Sequence, residues 1–170
     1  MNGKYMAYVG SYSYTGKAKG ITVYDVDVEN GVFKERCEME VDNSSYVIAS
    51  SDGKTLYSIA DEGVVSFRIL QNGSLARLNS SPIRGMRGCH LCTDMEDKYV
   101  FVSGYHDGKT TVLSLNKDGS VGEIVDEVYH KGYGSVAERN FRSHITCTRR
   151  MPDGRYVLSV DNGTDQVKVY

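Results

Sequence analysis

Ser143-His-Ile-Thr-Cys-Thr-Arg-Arg-Met-Pro-Asp-Gly-Arg-Tyr-Val157 is a short strand, a tight polar turn and the start of a second strand. The same arrangement occurs twice earlier, at Asn43-Ser-Ser-Tyr-Val-Ile-Ala-Ser-Ser-Asp-Gly-Lys-Thr-Leu-Tyr57 and at Gly88-Cys-His-Leu-Cys-Thr-Asp-Met-Glu-Asp-Lys-Tyr-Val-Phe101. Each unit runs on through another turn into a third strand. Units spaced by roughly 40 to 55 residues, each too small to bury its own apolar faces, signal small sheets stacked radially around a channel. The fold class read from this pattern is all-β, a β-propeller.

Beyond Asn2-Gly3 at the N-terminus, seven Asn-Gly or Asp-Gly pairs punctuate the chain, at 30–31, 52–53, 72–73, 107–108, 118–119, 153–154 and 162–163. Both residue types tolerate the left-handed backbone that tight hairpins need. Between these turns lie runs of Val, Ile, Tyr and Thr, which suit a pleated, half-buried surface. With strands lettered a to d from the channel outward, residues 1–170 form a single partial propeller domain. Blade 1 has strands b–d over 5–41, blade 2 spans 43–79, blade 3 spans 88–129, and blade 4 has strands a–c over 143–170. That is about three and a half four-stranded blades. Because an open sheet edge invites pairing with other chains, such a chain reads as the N-terminal part of a longer propeller. The competing reading is a complete small protein that closes by self-association through its open edges.

Composition narrows the function classes. Twenty basic residues against 22 acidic ones leave a net charge of −2, which argues against a nucleic-acid or anionic-membrane surface. No apolar run approaches the roughly 18 residues of a transmembrane helix. The N-terminus enters a strand without a secretory h-region, so a cytoplasmic location is expected. Four cysteines do not suggest a disulfide scaffold. Cys89 and Cys92 spell C-x-x-C, but residues three apart on a strand face opposite ways. No metal or cofactor site is expected, and reduced structural thiols are the favoured reading.

Blade geometry sorts the polar residues. Strand a descends from one mouth of the channel, so the d–a connections and b–c hairpins gather there, while the a–b and c–d turns lie at the other end. The d–a connections carry Asn43, Arg84, Arg87, Arg139, Asn140 and Arg142. The first channel-facing positions of strand a carry Tyr46, His90 and His144, and the b–c hairpins carry Tyr12, Asp61, Glu62, Tyr105, His106, Asp161 and Asp165. Arginines at this mouth suit a carboxylate or phosphate, which the guanidinium fork binds in a bidentate fashion. A histidine there is able to act as a base at neutral pH. The alternatives stay open: His90 as a structural partner of loop carbonyls, the arginines as solvated or ion-paired groups, and Asp161 and Asp165 as hairpin caps. His106 and His130 read as surface loop residues.

Laid out in this way, the chain resembles the seven-bladed propeller lactonases, often named for 6-phosphogluconolactonase and related to a fungal muconate-lactonizing enzyme. The matching stretches are Tyr8-Val-Gly-Ser-Tyr12 with Gly20-Ile-Thr-Val-Tyr24, Asn43-Ser-Ser-Tyr46, Cys89-His-Leu91, Tyr99-Val-Phe-Val-Ser-Gly-Tyr105, Arg139-Asn140 with Ser143-His144, and Asp161-Asn-Gly-Thr-Asp165-Gln-Val-Lys-Val-Tyr170. They run end to end through this chain and cover about the first half of the family's usual length. The chain departs at His144-Ile-Thr146, where the family often has His-x-His, and at Arg139-Asn140, where it often has Arg-Gln. The resemblance implies metal-independent hydrolysis of a sugar lactone, with the histidine matching His144 catalytic. On this expectation His144 and Arg139 carry the chemistry, and Arg142, His90, Arg84, Arg87, Tyr46, Asp161 and Asp165 bind substrate. The alternative function is a non-catalytic propeller binding module or an inactive fragment.

Overall fold

The computed structural model describes residues 5–135 and 140–170. Among the described residues every regular element is a strand, and no helix is long and apolar enough to cross a membrane. Fourteen strands form four antiparallel sheets. The first is β1 (Tyr5–Gly10), β2 (Gly20–Asp27) and β3 (Val32–Glu40), in that order. The second is β4 (Val47–Ala49), β5 (Thr55–Ile59), β6 (Gly63–Ile69) and β7 (Leu75–Pro82). The third is β8 (His90–Thr93), β9 (Tyr99–Gly104), β10 (Lys109–Leu115) and β11 (Val121–Tyr129), and the fourth is β12 (Ile145–Arg150), β13 (Val157–Asp161) and β14 (Gln166–Val169). Each strand pairs with its sequence neighbour, so every sheet is a simple meander. At six of the seven Asn-Gly or Asp-Gly turns the glycine has the positive φ those turns require (Gly31, Gly53, Gly73, Gly108, Gly119 and Gly154).

The sheets stack face to face, and the second shows why its sequence carries apolar residues on both sides. Leu56, Val65 and Phe67, with Leu75 of the same sheet, face the first sheet and pack with its Ile21 and Val23. Their chain neighbours Tyr57 and Val64, with Ile59, face the third sheet and pack with Leu91, Val100, Val102 and Leu113. Successive strand residues point to opposite faces, so a sheet between two others is buried on both faces, as β5 is along its whole length. The third and fourth sheets meet differently. Ser103 Oγ donates to Thr148 Oγ1 at 2.9 Å, and Thr148 lies 3.3 Å from both Thr110 Oγ1 and Ser159 Oγ. All four residues are buried, so this junction is joined by a hydroxyl cluster.

Lys109 ties the connections to the sheets. Its side chain is buried, and Nζ donates to the carbonyls of Ile83 and Arg84 at 2.8 and 3.2 Å and to Glu127 Oε1 at 2.6 Å. One ammonium thus satisfies two carbonyls of the connection between β7 and β8 and a carboxylate on β11.

Candidate active site

The connections into β8 and β12 and the hairpins after β1, β5, β9 and β13 gather at one end of the stack. There, Tyr12, Ser45, Arg87, Gly88, Cys89, Tyr105 and His106 line a cavity of about 180 Å³. Larger hollows lie elsewhere. One of about 440 Å³ runs along the far ends of β4, β8 and β12, and one of about 560 Å³ lies among the turns at the opposite end, where acids and bases are mixed. The smaller cavity carries the chemical interest because Tyr105 joins it to His144.

His144 immediately precedes β12 and is buried. Its ring stacks on Tyr105, with centroids 4.4 Å apart and planes 15° apart, and Phe141 lies edge-on to it at 6.4 Å. Nδ1 is 2.8 Å from the Tyr105 carbonyl oxygen. A carbonyl only accepts, so Nδ1 carries the proton and donates it, leaving the lone pair of the neutral ring on Nε2.

Beneath His144, Asp161 serves as a hub. Oδ1 accepts the backbone N–H groups of His144, Gly163 and Thr164 at 2.8, 3.0 and 3.2 Å. Oδ2 accepts the Ser143 hydroxyl at 2.7 Å and His130 Nδ1 at 2.9 Å. Burial by itself would raise the Asp161 carboxyl, but donation from Ser143, the His144 amide, His130 and Thr164 outweighs it and holds the group well below the usual carboxylate range. Asp161 is only 1% exposed, with both oxygens committed to the protein. The sequence leaves Asp161 open between substrate binding and capping; here its contacts are those of a hairpin cap that also anchors the start of β12. His130 corrects the surface-loop expectation. It is buried, donating to Asp161 through Nδ1 and accepting the Tyr170 hydroxyl at Nε2 at 2.9 Å, and burial lowers its basicity despite the neighbouring carboxylate.

The other expected residues are distributed around this core. His90 is buried against Tyr46, with ring centroids 4.6 Å apart, and its Nε2 is 3.5 Å from Cys147 Sγ. Burial and then the Arg149 charge lower His90, while burial raises Cys147. The pair is therefore a neutral imidazole beside a thiol, without the thiolate a nucleophilic cysteine needs. Burial likewise pushes Cys89 up to about 11. All four cysteines are free and half-buried.

Arg87 reaches the cavity, but its guanidinium pairs with Asp61 at 2.9 Å and lies 4.8 Å from the Tyr12 ring centroid. Asp61 in turn accepts Asn43 Nδ2 at 2.8 Å. The arginines are thus not a uniform cationic ring. Arg84 is exposed, and its backbone carbonyl is the acceptor for Lys109. Arg142 is exposed at the rim, 5.6 Å from the Phe141 ring. Arg139 lies outside the described residues. Asp165 is exposed and accepts the Ser135 amide and Asn140 Nδ2, which flank 136–139 in sequence. It thereby joins Ser135 to Asn140, and these bonds lower its carboxyl. Among the described residues, no group of three or more His, Cys, Asp or Glu could hold a metal ion.

Sequence reasoning did not find Ser143, His130, Tyr170 or Lys109 as parts of this end of the molecule. Their partners are remote in the chain, and no local pattern predicts the pairings.

Residues 6–170 match the family model described as lactonase, 7-bladed beta-propeller. The chain belongs to that family. It is similar to the 6-phosphogluconolactonase of Bacillus subtilis strain 168, with 33% identity over 98% of this chain and 49% of that protein. Among solved structures it is similar to a Bacteroides fragilis protein named as a candidate 6-phosphogluconolactonase, with a TM-score of 0.91 and 33% identity over 98% of this chain and 48% of that one. It is also similar to the periplasmic gluconolactonase of Pseudomonas aeruginosa, with a TM-score of 0.89 and 26% identity over 97% of this chain and 49% of that one. The chain spans about half the length of the curated relatives it matches.

Proposed function

We propose that the protein hydrolyses a sugar lactone at this mouth, with His144 as general base. The observation that supports this most is the hydrogen bond from His144 Nδ1 to the Tyr105 carbonyl, because it directs the unprotonated Nε2 away from the protein's own acceptor. In this reading Nε2 takes a proton from a water molecule as the water oxygen bonds to the lactone carbonyl carbon. The tetrahedral intermediate then breaks its ring C–O bond. The departing alkoxide takes the proton back from the imidazolium, giving a hydroxy acid. General base assistance of this kind contributes roughly 10²- to 10⁴-fold. Arg142 at the rim, with Arg139, would hold an anionic group of the substrate or the oxyanion. Arg87, already paired with Asp61, would shape the pocket more than charge it.

The names of the Bacillus and Pseudomonas relatives make gluconolactone and its 6-phosphate the substrates to test. Arg142→Ala is expected to raise KM for the phosphorylated lactone about tenfold, the equivalent of about 1.4 kcal/mol, with a smaller change for the neutral one. Equal effects on the two lactones would remove the anion-binding role. The reading needs no cofactor and takes the small-molecule lactone as partner. It also places the protein in the cytoplasm, and recovery from a periplasmic fraction would move it to the compartment named for the Pseudomonas relative.

A further inference from the structure

We propose that Asp161 and His130 are positioning residues for His144, a buried device that fixes where and in which tautomer the histidine is presented. The inference rests on the reading of His144 as the base. Ring and backbone of His144 are held from two independent directions. The ring is held from the third sheet by the Tyr105 carbonyl at 2.8 Å and by stacking on Tyr105. The backbone is held from the fourth sheet by Asp161 Oδ1 on the His144 amide at 2.8 Å. For both holds to act on one side chain, the Asp161 carboxylate must keep one orientation.

His130 sets that orientation. It lies 31 residues before Asp161 in the chain, yet its Nδ1 meets Oδ2 at 2.9 Å, with both side chains fully buried. An ionised carboxylate only accepts, so the contact requires the proton on Nδ1 of His130. Nε2 then accepts the Tyr170 hydroxyl at 2.9 Å, and the neutral imidazole is satisfied at both nitrogens. With Oδ2 held by His130 and Ser143, Oδ1 is left facing three backbone donors, the Gly163 and Thr164 amides of the hairpin and the His144 amide just before β12. This resembles the outer partners of metal-bound histidines, where a carboxylate behind the ring fixes its tautomer. Here the carboxylate acts on the backbone that carries the ring. A hairpin cap alone would need only the Gly163 and Thr164 amides. The additional buried donors, His130 and Ser143, point to a carboxylate whose direction matters.

The test uses the 170-residue chain with ¹⁵N-labelled histidine, whose four histidines make the ring spectra assignable by single substitutions. In the wild type, His144 is expected as the Nδ1–H tautomer with a slowly exchanging amide. His130→Phe, which keeps the volume but removes the donor, should speed exchange of the His144 amide at least tenfold and move its ring toward the mixed tautomers of a free imidazole. His130→Asn, whose amide nitrogen can stand in for Nδ1, should restore both. Lactone hydrolysis by the same variants should show kcat down about tenfold with KM unchanged in His130→Phe, and restored in His130→Asn. If His130→Phe loses its dispersed spectrum, Tyr170→Phe takes its place with the same amide readout. A folded His130→Phe or Tyr170→Phe variant with His144 exchange and tautomer unchanged would overturn the proposal. Absence of hydrolysis in the wild type would refute the function reading instead, while the spectra would still decide the positioning.

Discussion

Substituting Gly163 by alanine separates two reasons for a glycine in a hairpin. Gly163 belongs to an Asn-Gly pair, but unlike the other six such glycines it is not among those with positive φ. An added Cβ would instead collide with the carbonyl of Arg142 and the amide nitrogen of His144. Where backbone angles are ordinary and space is free, Gly→Ala stabilises by about 0.4–1 kcal/mol, because the unfolded chain loses freedom. Here the methyl must displace backbone, a form of overpacking that costs about 1–3 kcal/mol. The net expectation is a loss of about 1–2 kcal/mol. At roughly 2–4 °C per kcal/mol for a chain of this size, Tm should fall by about 2–8 °C. Gly31→Ala is the control: φ is 66° and nothing lies within 4 Å of the added Cβ. Its cost of about 1–2 kcal/mol would come from left-handed strain alone. Urea and thermal unfolding measure both variants, and amide exchange at His144 tells them apart. Gly163→Ala should speed that exchange, and Gly31→Ala should leave it unchanged. A neutral or stabilising Gly163→Ala would show that the hairpin does not press on the start of β12, and the account of how His144 is held would fail.

Lys109→Met should destabilise by roughly 2–3 kcal/mol in urea unfolding, below the usual range for breaking a buried pair because the Glu127 side chain is 29% exposed. An unchanged midpoint would mean the carbonyls of Ile83 and Arg84 find water at no cost. Thr148→Val removes the hydroxyl shared by Ser103, Thr110 and Ser159, and should cost about 1–3 kcal/mol by leaving buried polar groups short of partners. No loss would mean the cluster is not what joins the third and fourth sheets. Asp161 has a folded pKa below its unfolded value near 4. Its stabilisation is therefore fully present above that unfolded value and is lost as pH falls toward the folded one. The stability gap between wild type and Asp161→Asn should be constant above about pH 5 and shrink below about pH 4. A gap that widened in acid would reverse the assignment.

The fold was legible because a propeller writes itself in short-range signals. Asn30-Gly31 and Asp52-Gly53 mark turns by chemistry confined to two residues. The alternation at Leu56-Tyr57 announces a strand with two buried faces, which here belong to two different cores. The site was legible only in outline. That Tyr46, His90 and His144 stand at equivalent places follows from the repeat, but their partners do not. His130 and Tyr170 are 40 residues apart and meet through one hydrogen bond, with no periodicity to link them. The sequence leaves open whether Arg87 is solvated or ion-paired, and only the structure puts Asp61 2.9 Å from it; nothing in the sequence around Lys109 announces that it is buried. Even the Asn162-Gly163 signal marked a turn whose glycine serves a close approach to Arg142 and His144.

The central claim is that His144 acts as a base at the channel mouth, and hydrolysis of gluconolactone and its 6-phosphate by wild type and His144→Ala tests it most directly. The account predicts hydrolysis above the spontaneous rate in the wild type and a fall in kcat of about 10²-fold or more in the variant, with its four sheets intact by circular dichroism. A folded His144→Ala protein that hydrolysed either lactone at the wild-type rate would contradict it.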